Sequence, residues 1–232
     1  MGSEVCRAIS DDPDLDLVAR VDIDDSPQAM VDAGAEVAVD FTAPNAVKDN
    51  IRFCLDNGIH AVVGTTGLSE ADRDEIGKWA DGASSNVFIA PNFAIGAVLM
   101  MQFAARAAAH FETAEIVERH HERKLDAPSG TALRTAELMN DARDEEWKSP
   151  ASTTESLQGS RGGEVGGIHI HSLRVPGSVA HQEVVLGTAG ETLTIRHDSL
   201  ERSSFMPGVL LAVKKVASRP GLTVGLEHVL DL

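Results

Sequence analysis

"AEVAVDFTAP" (35–44), "HAVVGTTG" (60–67) and "NVFIAPNF" (86–93) are three short apolar runs, each closing on a loop of small and polar residues. Runs of this length without polar alternation are strands covered on both faces, as in a parallel sheet. Helical stretches lie between them. "VKDNIRFCLDN" (47–57) sets Val47, Ile51 and Cys54 or Leu55 on one stripe before Gly58 stops it. "SEADRDEIGKWADGA" (69–83) begins with Ser69 as N-cap and acids in its first turn. The alternation predicts a doubly wound, Rossmann-like α/β domain over residues 1–95, with Leu17–Val21 of "LDLVARVD" as a further strand.

A second style of sequence follows. "AVLMMQFAARAAAHF" (97–111) is an almost wholly apolar helix that must be buried between layers or subunits. After it come a strand "AEIVER" (114–119), a helix "TALRTAELMNDAR" (131–143) and the Gly- and Ser-rich "ESLQGSRGGEVGG" (155–167). Three strand-like runs, "IHIHSLRV", "AHQEVVLG" and "ETLTIRHD", are then separated by turn residues. Such meander spacing predicts a second, α+β domain over 96–203 with a mainly antiparallel sheet. The tail helix in "FMPGVLLAVKKVASRPG" (205–221) is expected to return to the first domain, which then comprises 1–95 and 204–232.

Composition narrows the function. Thirty-six acidic against twenty basic residues give a net charge of −16, which disfavours nucleic acid as a partner because nothing neutralises a row of phosphates. A lysine-poor acidic surface also fits a protein adapted to high salt, where self-repulsion is screened. There is no run of eighteen apolar residues, and "MGSEVCRAISDD" lacks a signal-peptide pattern, so no membrane partner and a cytoplasmic location are expected. Cys6 and Cys54 have no metal spacing and read as reduced structural thiols.

Residues 118–132, "ERHHERKLDAPSGTA", carry the chemistry. "PSGT" precedes a helical pattern, so its N–H groups sit at a helix N-terminus and favour an anion. Gly130 allows close approach and Thr131 adds a hydroxyl, so a substrate carboxylate or phosphate has a place to rest. Taken alone, this turn reads as an ordinary cap. His120, His121 and Lys124 beside it change that reading, because Lys124 offers a proton or a second anion contact. Adjacent histidines on an extended segment point to opposite sides, and no HExxH or CxxC accompanies them, so no metal is expected.

"HHERKLDAPSGTA" resembles the signature of the dihydrodipicolinate reductase family, the 4-hydroxy-tetrahydrodipicolinate reductases of diaminopimelate and lysine biosynthesis. "VDFTAP", "GTTG", "APNFAIG", "GSRGGEVGG" and "LRVPG" extend the resemblance along nearly the whole chain. It implies NAD(P)H-dependent reduction of a cyclic imine dicarboxylate, with His120 and Lys124 catalytic and His121, Gly130 and Thr131 binding substrate. Gly64, Thr65, Thr66, Ala90, Pro91, Asn92 and Phe93 match the family's cofactor loops, and Met1 and Gly2 match the last two residues of its glycine turn. The family's tetramer implies a homo-oligomer here.

The family's first strand and most of its glycine turn have no counterpart in this sequence, and a start placed downstream of the natural one is the expected reading. Asp22 falls where a carboxylate meets the ribose hydroxyls, and Asp24 and Asp25 beside it should repel a 2′-phosphate, so NADH is expected to be preferred over NADPH. A non-catalytic binding protein of the same fold is the alternative, but it would have no reason to keep His120 and Lys124 with Gly130 and Thr131. Another two-domain dehydrogenase of amino-acid metabolism should lack the His-His-x-x-Lys loop altogether.

Overall fold

The computed structural model describes residues 1–148 and 154–230. The chain forms two compact units, Met1–Ile95 with Arg202–Leu232, and Gly96–Glu201. Residues 149–153 and 231–232, which belong to the two domain ranges expected from sequence, lie outside the described residues.

The first unit holds helices α1 (Gly2–Asp11), α2 (Gln28–Asp32), α3 (Val47–Asp56), α4 (Glu70–Asp81) and α7 (Met206–Val216). Its strands β1 (Val37–Asp40), β2 (His60–Val63), β3 (Val87–Ile89) and β9 (Leu222–Val224) form an all-parallel sheet in that order. Alternation across the strands decides which helix each residue meets. Ala61, Val63, Val87 and Ile89 join Val47, Ile51, Cys54, Leu55, Ile76 and Ala80 of α3 and α4 in one core. Val62 and Phe88, of opposite parity and fully buried, face the other way, and α7 contacts both of their strands. Helices on both faces of a parallel sheet make the doubly wound architecture.

Local signals account for the helix ends. Ser69 closes a capping box with Asp72, each side chain meeting the other's backbone N–H. Gly58, at φ 71°, turns the chain out of α3 into β2. Gly208 sits so close to the next segment that a Cβ there would lie 2.1 Å from the Phe93 carbonyl oxygen. Cys6 and Cys54 are not bridged, and burial pushes the Cys54 thiol up to about 11.

One expected element is absent. Leu17–Val21 forms no strand, with Val18 50% and Val21 37% exposed. The physical reason lies in pairing: β1 is the edge of the described sheet, all four of its residues are only half-buried, and among the described residues no strand pairs with its outer side or with 17–21. An apolar run becomes a strand only when a ladder satisfies its backbone.

The second unit contains α5 (Ile95–Ala108), β4 (Thr113–His120), α6 (Gly130–Asp141), β5 (Gly163–Val165), β6 (Ile168–Arg174), β7 (Ala180–Thr188) and β8 (Glu191–Ser199). The sheet runs β5-β6-β4-β7-β8. It is antiparallel except between β4 and β6, which pair parallel with Glu118 opposite Ser172 and His120 opposite Arg174. Even-numbered residues of β4, β6 and β7 face a core shared with α6 and the end of α5, where Ile116, Ile168, Ile170, Val184, Leu186, Ala136 and Met139 are fully or almost fully buried. The apolar helix ends at Ala108, short of the expected Phe111, and Phe103 on it is 46% exposed. Gly96 opens it because a Cβ there would lie 2.5 Å from the His197 ring.

Candidate active site

His120 ends β4, and the parallel partner β6 ends beside it at Arg174. The chain leaves the sheet at His121, turns through Lys124, whose N–H donates to the His121 carbonyl at 3.1 Å, and enters α6 at Gly130. Ser129 caps that helix, its hydroxyl accepting from the Ala132 N–H at 3.2 Å. The sequence-predicted residues His120, His121, Lys124, Gly130 and Thr131 thus border one loop of the second unit, which runs from a strand end to a helix start.

Burial within this loop is selective. His120 keeps 15% of its side chain exposed and Lys124 keeps 22%. The Lys124 ammonium pairs with Asp126 at 2.8 Å, which holds the Asp126 carboxyl below its ordinary range. The His121 Nδ1 is buried with no hydrogen-bond partner among the described residues, a donor or acceptor left for a ligand. Around Gly130 there is open space for 4 Å where a side chain would project. The chain at Gly130, at the start of α6, is therefore approachable, with the positive end of the helix behind it.

The carboxylate of Glu118 lies under this loop, fully buried. Arg174 grips it with both guanidinium nitrogens, Nη1 to Oε2 and Nη2 to Oε1, each at 2.9 Å. The Ser129 N–H donates to Oε1 at 3.2 Å, and the His120 Nδ1 lies 2.5 Å from Oε2. Burial alone would raise the carboxyl's pKa, but the hydrogen bonds from His120 and Arg174 outweigh it and hold it at about 2. Glu118 is therefore ionised near neutral pH.

In the first unit the predicted cofactor residues Gly64–Thr66 and Ala90–Phe93 follow the carboxyl ends of the adjacent parallel strands β2 and β3. That end of a doubly wound sheet is where dinucleotides bind. Asp40, at the end of β1, ties the loops down: it accepts from the Thr65 hydroxyl at 2.6 Å, from the Thr42 hydroxyl at 2.9 Å and from Asn50 at 2.8 Å. Both its oxygens are turned to these donors, so it braces the loops rather than facing into them, and the loops fit a dinucleotide in this respect. Met1 and Gly2 lie at the start of α1. Asp22 sits in an exposed turn, its Oδ1 accepting from the Ile23 N–H at 2.8 Å and its own N–H donating to Asp25 at 2.9 Å.

Family models described as the N-terminus and the C-terminus of dihydrodipicolinate reductase match residues 1–93 and 96–230. The chain belongs to the dihydrodipicolinate reductase family. The 4-hydroxy-tetrahydrodipicolinate reductase of Mycolicibacterium vanbaalenii is 53% identical over all of this chain and 95% of its own length. That of Nocardia farcinica is 54% identical, with the same coverage of 100% and 95%. Among solved structures, a dipicolinate-bound dihydrodipicolinate reductase from Paenisporosarcina sp. TG-14 superposes with a TM-score of 0.86 at 37% identity, covering 99% of this chain and 95% of that one. A probable dehydrogenase from Thermotoga maritima has a TM-score of 0.64 at 12% identity, covering 97% and 88%, a likeness of fold alone.

Three site residues of this dihydrodipicolinate reductase family chain escaped the sequence reading: Glu118, Arg174 and Asp40. Glu118 carried a signal, since it stands two residues before His120 on a strand and so shares its face. Arg174 lies in the "LRVPG" match, but its pairing with Glu118 was not legible there, because it depends on a parallel register of β4 and β6 that a run of strands does not announce.

Proposed function

We propose that this chain reduces 4-hydroxy-tetrahydrodipicolinate to tetrahydrodipicolinate with NAD(P)H, in the cytoplasm, as a step of diaminopimelate and lysine biosynthesis. The observation that carries the reading is the loop of the second unit, where an imidazole, an ammonium and an open helix start lie together above a buried carboxylate. The reaction replaces a hydroxyl by hydrogen: a hydride enters, the hydroxyl leaves as water, and the balance requires one proton. Gly64–Thr66 and Ala90–Phe93 would hold a reduced nicotinamide, which would supply the hydride. His120 and Lys124 hold and deliver the proton, while His121, Gly130 and Thr131 bind the substrate, with the N–H groups at the start of α6 facing one of its carboxylates.

NADH is the preferred cofactor in this reading. Asp22 meets the ribose hydroxyls, and Asp24 and Asp25 repel a 2′-phosphate, while Arg20 is the nearest cation in sequence. High salt, to which the −16 charge reads as an adaptation, should weaken the preference by screening. The test is kcat/KM for both cofactors at low and high salt. A larger value for NADPH at low salt would refute the role given to Asp22.

We read the chain as a homo-oligomer, a tetramer as the family resemblance implies, on the strength of its mainly antiparallel second sheet and the apolar helix α5.

A further inference from the structure

The geometry points to Glu118 as a positioning residue that fixes the tautomer of His120, with Arg174 fixing Glu118 in turn. This inference rests on the role proposed above for His120. An ionised carboxylate only accepts hydrogen bonds, so the contact between Oε2 and the His120 ring at 2.5 Å places a proton on Nδ1. The ring's other nitrogen, Nε2, is then the one that takes or gives a proton on the substrate side. The same carboxylate also sets the loop. Oε1 accepts from the Ser129 N–H at the start of α6, and Arg174, which holds both oxygens, donates to the Asp126 carbonyl at 2.5 Å and the Leu173 carbonyl at 2.7 Å. A further backbone bond, from the Val175 N–H to the His120 carbonyl at 2.9 Å, fixes the strand end from which the imidazole projects. His120, the helix cap and the turn at Asp126 are thereby tied to one buried ion pair.

Glu118→Gln discriminates this from simple scaffolding, because an amide has one accepting and one donating end. The guanidinium spans both oxygens, Nη1 on Oε2 and Nη2 on Oε1, so either amide orientation sets its NH2 against one guanidinium N–H, and the orientation that keeps an acceptor for the buried Ser129 N–H turns the amide nitrogen toward His120 Nδ1. Nδ1 must then accept, and the proton moves to Nε2. The wrong tautomer at a proton-transferring histidine lowers kcat by roughly 10²- to 10⁴-fold with little change in cofactor affinity.

Two measurements on the full chain test it. Nitrogen-15 NMR of the imidazole rings, with His120 assigned by comparison with His120→Gln, should find Nδ1 protonated in the wild type and Nε2 protonated in Glu118→Gln. A wild-type ring protonated on Nε2 alone overturns the proposal, and that reading does not depend on the variant folding. The second is a cycle: Glu118→Gln should cost kcat heavily in the wild type and almost nothing in a His120→Gln background. Equal losses in both backgrounds, or no loss in the wild type, overturn the proposal. If His120→Gln itself leaves turnover unchanged, the reading of His120 fails instead, and the two failures stay distinct.

Discussion

His120→Gln and Lys124→Ala should each lower kcat by roughly 10²- to 10⁴-fold while NADH affinity stays nearly intact, the range for removing a positioned proton donor. The separation of effects follows from where the residues lie. His120 ends β4 and Lys124 lies in the loop that follows it in the second unit, whereas the loops assigned to the cofactor follow β2 and β3 in the first. His120 is the only one of the two held against a buried carboxylate, and Lys124 is tied to Asp126 at 2.8 Å, so neither side chain is free to replace the other. Equal turnover of wild type and both variants, measured with saturating NADH, would remove both residues from the chemistry.

The second unit should also lose stability in acid through Glu118. Its carboxyl is held at about 2 in the folded chain, against an ordinary value of 4.5. A depressed carboxyl contributes stability above its unfolded value and surrenders it as pH falls toward the folded one, so the loss runs from about pH 4.5 down to about 2. The full contribution is on the order of 3 kcal/mol, since each unit of displacement corresponds to about 1.4 kcal/mol. Urea unfolding of the wild type and Glu118→Gln should therefore converge, their difference shrinking by on the order of 2 kcal/mol between about pH 6 and 3. A difference that holds constant over that range would mean that Glu118 is not the ionised partner of Arg174.

What was legible in the sequence had local causes. Apolar runs of β2 and β3 read as doubly covered strands because both neighbours bury them, and Ser69 and Gly58 mark helix ends by chemistry confined to one turn. The loop at 118–132 was legible as a cluster because its residues are contiguous. The rest depended on distant pairing. Leu17–Val21 has the composition of a strand, yet without a paired neighbour it is not one. The parallel pairing of β4 with β6, in a sheet whose spacing reads as a meander, brings Arg174 to Glu118 across 56 positions, a contact no periodicity reports. Asp40 likewise looks like an ordinary strand-end acid, and only the fold brings Thr65 and Asn50 onto it.

The account stands or falls on the reaction itself, followed as loss of NADH absorbance in the full chain together with product analysis. One NADH should be oxidised for each tetrahydrodipicolinate formed, and only when 4-hydroxy-tetrahydrodipicolinate is present. No NADH or NADPH oxidation on adding that substrate, by a chain shown to be folded, would contradict it.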